Sequence, residues 1–125
     1  MNSTEAHYLM KTYLEKIKSR RKIVADVLRK DLKDEAHRLV RLLEAEEFKF
    51  KRVYLFGSIT KDKLLSSWSD IDLAIEGLDE EVFYKVYACL LKNSDFAVDL
   101  KPFEDLDVSF QKKIRNEGWI IYEKE

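Results

Sequence analysis

From Thr4 to Phe48 the chain contains neither glycine nor proline, and Leu, Lys, Arg, Glu and Ala dominate the stretch. Residues of this kind lose little conformational freedom in a helix, so so long an unbroken run commits the first third of the chain to helix. Leu32, Ala36, Leu39, Val40 and Leu43 recur at i, i+4, i+7, i+8 and i+11 and define one buried face. Upstream, Met10, Tyr13, Ile17, Val24 and Val27 also recur at helical spacing, but Arg20 and Asp31 interrupt that seam. The pattern allows two helices, or one long helix bent near residues 19–22. A single helix would span roughly 65–70 Å at 1.5 Å per residue. That exceeds a domain of this size, so its first half is expected to pack on another chain.

Beyond Lys51 the periodicity changes. Val53-Tyr54-Leu55-Phe56 is a short β-rich run that ends at Gly57, and Ile71, Leu73 and Ile75 alternate with Asp70, Asp72 and Ala74 up to Gly77. A helix is expected over 79–91, with Val82, Val86 and Leu90 on its buried side. A third strand follows over 96–100, closed by Lys101-Pro102, then a short helix over 108–116 and a last strand over 119–122. The predicted class is α/β (α+β): a small sheet with helices packed on it, preceded by an extended N-terminal helical segment.

The 125 residues fit one compact unit. Charged residues make up 38% of it, and no apolar run approaches the ~20 residues of a membrane-spanning helix, so no membrane partner is expected. The start, Met1-Asn2-Ser3-Thr4-Glu5, has no basic n-region before an apolar stretch, so no secretory signal is expected. The single cysteine, Cys89, suits a reducing cytoplasm. Residues 1–52 carry 14 Lys/Arg against 9 Asp/Glu, whereas residues 53–125 carry 9 against 15. The halves thus stand at +5 and −6, either as two ordinary solvated faces or as two surfaces with different tasks.

Asp70 and Asp72 are two apart in a predicted strand, so their side chains share a face while Ile71 and Leu73 take the other. Two like charges a pleat apart repel, and strands are poor in Asp. A hard divalent cation such as Mg²⁺ resolves the conflict, because it takes carboxylate oxygens and leaves positions for phosphates. Asp99 lies mid-strand between Val98 and Leu100. Beside the first strand it would add a third carboxylate, as a two-metal phosphoryl-transfer site needs. An Asp-x-Asp alone is common, and most such pairs are solvated strand or turn residues; Ser69 before it reads equally as a turn residue.

Gly57-Ser58 comes directly after a predicted strand and before a helical segment. A glycine there lets the backbone approach a ligand closely, and the following N–H groups and the Ser58 hydroxyl suit a phosphate. The plain alternative is a tight turn without a ligand.

Taken together, Leu55-Phe56-Gly57-Ser58, eleven residues (59–69) and Asp70-Ile71-Asp72-Leu73 resemble the signature of the DNA polymerase β-type nucleotidyltransferases. The likeness is greatest to the minimal nucleotidyltransferases (MNT), which accompany a HEPN-domain partner. Ala97-Val98-Asp99-Leu100 is similar to the family's third acidic strand, and the stretch 116–122 to its usual ending. The resemblance covers about residues 36–122, dividing the chain into an extension, 1–35, and a nucleotidyltransferase domain, 36–125. It implies a small mixed sheet, ATP as substrate and two Mg²⁺ ions held by Asp70, Asp72 and Asp99, with Asp99 on the ion that activates the acceptor hydroxyl. Gly57 and Ser58 would hold the triphosphate.

Two departures stand out. The spacer is one residue longer than is usual in the family. Where the family often has a small residue and an arginine after Gly-Ser, this chain has Ile59-Thr60-Lys61-Asp62-Lys63. Lys61 or Lys63 would replace the positive charge as a point ligand, without arginine's bidentate fork.

His7 and His37 lie on the N-terminal helical segment without a ligand partner at i+4 and read as surface or packing residues. Cys89 reads as a small buried apolar residue, and Trp68 as packing, with base stacking its alternative. Lys18, Arg20, Arg21 and Lys22 admit three readings: a solvated helix face, a phosphate-binding patch for RNA, or a dock for an acidic partner.

The resemblance implies a Mg²⁺-dependent adenylyltransferase that silences a HEPN-type ribonuclease toxin by attaching AMP to its tyrosine. That is the antitoxin role of a type VII-like pair, with the N-terminal helix as a dock for homo- or hetero-oligomers. Two alternatives stand beside it: a non-catalytic antitoxin or scaffold acting by contact alone, and nucleotidyl transfer to a small molecule.

Overall fold

The computed structural model describes residues 1–61 and 70–125. Its first element, α1, is one continuous helix over Ser3–Ala45, which settles the choice between one helix and two. Asn2 caps its start: the side-chain oxygen accepts from the Glu5 N–H at 2.8 Å, while the Asn2 amide donates to the Glu5 carboxylate at 3.1 Å. At its end, Glu47 turns left-handed (φ 67°), so that Glu47 N–H reaches Glu44 O and Phe48 N–H reaches Leu43 O, at 2.9 and 3.1 Å. These two bonds take up carbonyls that the helix terminus would otherwise leave open.

Four strands follow among the described residues: β1 (Arg52–Phe56), β2 (Ile71–Glu76), β3 (Val98–Pro102) and β4 (Trp119–Glu123), in the order β3-β2-β1-β4. β1 is antiparallel to both β2 and β4, and β2 runs parallel to β3. The parallel pair needs a crossover, supplied by α2 (Phe83–Asn93). α3 (Val108–Glu117) leads into β4. The helix expected from residue 79 opens instead as a 3-10 turn, Glu80–Val82, before α2. β3 also runs on through Pro102, which the sequence placed beyond its end. An edge strand tolerates proline there because one side of its ladder needs no N–H donor.

The two faces of the sheet are covered differently. On one, Leu32, Leu39 and Leu43 of α1 and Val86 and Leu90 of α2 close over Val53, Leu55, Ile71, Leu73 and Leu100. On the other, Tyr54, Ala74, Phe103 and Ile114 form a smaller cluster with Phe56 and Phe110. Tyr54 stacks on Phe103 with ring centroids 5.0 Å apart, and Phe56 meets Phe110 edge-on at 5.7 Å. Among the described residues this second layer stops short of the start of β2 and β3, where Asp72 and Asp99 stand half-buried.

Burial along α1 begins only at Ala25. Before it, Tyr8, Leu9, Met10, Tyr13, Leu14, Ile23 and Val24 all stand exposed. The helix is thus core at one end and unpartnered among the described residues at the other, which explains its weak amphipathic pattern upstream. No helix among the described residues is long and apolar enough to cross a membrane.

Candidate active site

The chain reverses from β1 through a 3-10 turn, Gly57–Thr60. Gly57 sits at φ +83°, a conformation open to glycine, and its α-carbon faces the carboxylate of Asp72. A side chain there would overlap that carboxylate, with its Cγ only 3.0 Å from an added Cβ. The register explains the closeness: Phe56 pairs with Asp72 across β1–β2, and Asp72 with Asp99 across β2–β3. Directly paired residues share a sheet face, so Phe56, Asp72 and Asp99 form one row. Asp70 precedes β2 by one residue and is exposed at its entrance.

Charge dominates this row. Burial, then the Asp99 carboxylate, then that of Asp70, push the Asp72 pKa up from 3.8 to about 6, while Lys101 works in the opposite direction. Lys101, two residues beyond Asp99 on the same strand face, holds it with Nζ 3.2 Å from Oδ2. Among the described residues, no three His, Cys, Asp or Glu side chains yet converge as a finished cage for an ion. The donor chemistry nevertheless fits a hard divalent cation: the oxygens are carboxylate, and the repulsion that raises Asp72 is what such an ion relieves.

Ser58 lies half-buried in the turn, and Lys61 closes it, its N–H donating to Ser58 O at 3.2 Å. Beside them is a cavity of about 220 Å³ lined by Gly57, Thr60, Lys61, Phe110, Lys113 and Glu117. A larger cavity, about 720 Å³, lies towards the other end of β3 and shares only Lys101 with the acidic row. The smaller one is the better neighbour for the chemistry, since it opens on Gly57 and holds two lysines.

The chain belongs to the polymerase β nucleotidyltransferase family. The family's model, "Polymerase beta, Nucleotidyltransferase", matches residues 37–125, well over half of the chain. Among solved structures, the chain is similar to a toxin-antitoxin crystallised with AMP-PNP, at 22% identity and a TM-score of 0.57 over 74% of each chain. It is also similar to the toxin-antitoxin MntA-HepT, at 22% identity and a TM-score of 0.54 over 72% of this chain and 71% of that one. At such identities the likeness concerns the fold. No curated protein matches the sequence.

The fold of this nucleotidyltransferase thus brings Gly57, Asp72 and Asp99 together, with Asp70 at the rim and Ser58 and Lys61 on the adjoining turn. Lys63, with Trp68 and Ser69, lies outside the described residues. Three side chains were not singled out from the sequence. Lys101 had a usable signal, because Asp99-x-Lys101 on a strand shares one face. Lys113 had none, since only the packing of α3 against Phe56 brings it to the turn. Arg29 had none either; it reaches the turn from α1.

Proposed function

We propose that the chain is a Mg²⁺-dependent adenylyltransferase that neutralises a HEPN-type ribonuclease toxin. The observation that carries this reading is the pairing of Asp72 with Asp99 beside Gly57, in a chain of the nucleotidyltransferase family. Likeness to toxin-antitoxin structures, one of them with AMP-PNP, supports the choice of partner and nucleotide.

In this scheme Gly57 and Ser58 bind the triphosphate tail, with Lys61 and Lys113 flanking it and Lys63 a further candidate. Asp70, Asp72 and Asp99 hold two Mg²⁺ ions, which when bound lower the acceptor's pKa and offset charge on the attacking and leaving oxygens. A tyrosine hydroxyl oxygen of the partner forms the new bond to the α-phosphorus. The bond from that phosphorus to the bridging oxygen breaks, pyrophosphate leaves, and the hydroxyl proton passes to Asp99 or solvent. Residues 36–125 carry the catalytic groups, the exposed part of the 1–35 extension before Ala25 is the dock, and the pair works in the cytoplasm.

The exposed apolar side chains of α1 favour a second reading, neutralisation by contact alone. Transfer of label from α-labelled ATP with Mg²⁺ onto the co-expressed partner separates the two, with wild type beside the double variant Asp70→Asn/Asp72→Asn. Label with wild type only is the expected result. Equal binding and equal neutralisation by both proteins, without label, would leave contact as the mechanism.

A further inference from the structure

We propose that Arg29 is a positioning residue for the triphosphate-binding turn, acting from the part of α1 that precedes the family's matched region. The inference rests on the reading of residues 57–61 as the nucleotide's cradle and extends it to what holds that cradle in shape.

Four carbonyls of residues 57–61, those of Gly57, Ser58, Ile59 and Lys61, fall into two sets. Gly57 O accepts from the Thr60 hydroxyl at 2.9 Å, and Ser58 O from the Lys61 N–H at 3.2 Å, both within the turn. The other two are held from outside. Ile59 O accepts from Arg29 Nε at 3.1 Å, and Lys61 O accepts from Arg29 Nη2 at 3.1 Å. One guanidinium therefore spans carbonyls two residues apart and closes the back of the turn, while Gly57 faces Asp72 on its other side. Asp26, one helical turn before Arg29, accepts from Nη1 at 3.2 Å and orients the fork. The Arg29 side chain is only 22% exposed, and Ile59 is buried in the main core.

The shape of the side chain matters here. A planar guanidinium places its donors in a fixed fork, so two bonds define both the distance and the direction of the turn. A lysine ammonium satisfies either carbonyl as a point charge without fixing their relation. Because Leu32 and Leu39 seat α1 on the sheet, the clamp refers the turn to the same rigid core that carries β2 and Asp72. Residue 29 precedes the family match at 37 by eight positions, so this support comes from the part of α1 that lies before the matched residues. A load placed on the exposed part of α1 by a partner has, in Arg29, a direct bonded route to the nucleotide site.

The test uses the full chain as wild type, Arg29→Met, which keeps the apolar stem, and Arg29→Lys, which keeps the charge. Leu39→Ala serves as a variant destabilised elsewhere. Amide hydrogen exchange across the turn, led by Lys61, is measured beside MgATP affinity and, with an acceptor, KM and kcat. In Arg29→Met the turn amides are expected to exchange at least about tenfold faster with the strands unchanged, and MgATP to bind about tenfold more weakly, the lower end of what loss of a hydrogen bond from a charged donor carries. KM should rise more than kcat falls, and Arg29→Lys should recover only part of the loss. Leu39→Ala should speed exchange throughout without singling out the turn. Unchanged turn exchange and unchanged MgATP affinity in folded Arg29→Met overturn the proposal. If wild type itself binds no MgATP, the transferase reading fails separately, and turn exchange alone then decides whether Arg29 holds the turn.

Discussion

The α-carbon of Gly57 lies against the carboxylate of Asp72, so close that no side chain fits between them. The end of one strand and the acidic row of the next are thereby packed as a single unit. Gly57→Ala is expected to fail twice. Its φ of +83° costs an L-residue about 1 kcal/mol or more, and the added methyl displaces Asp72. Thermal unfolding should show the first effect. A loss of about 100-fold or more in nucleotide transfer, from misplacement of the carboxylate, should show the second.

Asp72 is a charge that the metal-free fold tolerates poorly. Its pKa rises from 3.8 to about 6 on folding, so the folded state favours the protonated form. The penalty is absent below the unfolded pKa, grows between the two values, and is fully present above pH 6. Asp72→Asn is therefore expected to stabilise the metal-free protein at pH 7.5 by on the order of 1 kcal/mol, after allowance for solvent screening, and by almost nothing at pH 3.5. Mg²⁺ should raise the Tm of wild type and not that of the variant. A variant no more stable than wild type at pH 7.5 would remove the case for crowded carboxylates.

Glu35 runs the other way. This buried side chain accepts from Arg38 Nη2 at 2.9 Å, from the Asp95 N–H at 3.0 Å and from the Ser94 hydroxyl at 3.3 Å, tying α1 to the loop before β3. The Arg38 hydrogen bond is the main reason its pKa is lowered from 4.5, against the opposing effect of burial. Its stabilisation is thus complete above the unfolded value and is lost as pH falls through the folded one. Glu35→Gln should cost about 1–3 kcal/mol at pH 7. It should also flatten the acid limb of a stability–pH curve, measured by urea unfolding from pH 7 to pH 2.

Deleting residues 1–20 removes exposed side chains and no buried one, since burial starts at Ala25. The shortened chain is expected to unfold within about 1 kcal/mol of the full one. It should retain MgATP binding and lose its partner in a pull-down. Partner binding that survives the deletion would place the dock elsewhere.

Much of the fold was legible because it depends on local pattern. The alternation at Ile71, Asp72 and Leu73 specifies a strand with one acidic face, and the spacing of Leu32, Leu39 and Leu43 specifies a buried helical face. Both readings survive in the structure, and so does the class of the chain. Boundaries were less legible. Pro102 stays in β3 because that strand is an edge, and edge position is a property of the assembled sheet. The continuity of α1 past Ser19 was equally hidden, because an unpartnered helix leaves no buried side to read.

Sequence alone determined the residue types of the site: three aspartates on strand-like segments and a Gly-Ser after a strand, because chemistry and side-chain alternation are local. Only the tertiary structure decided their relations. The parallel register sets Asp72 beside Asp99, and the antiparallel register brings Gly57 onto Asp72. Helix packing then delivers Arg29 and Lys113 to one turn from opposite ends of the chain. Those relations come from how elements distant in sequence bury their apolar faces together, and no local pattern encodes the distances that result.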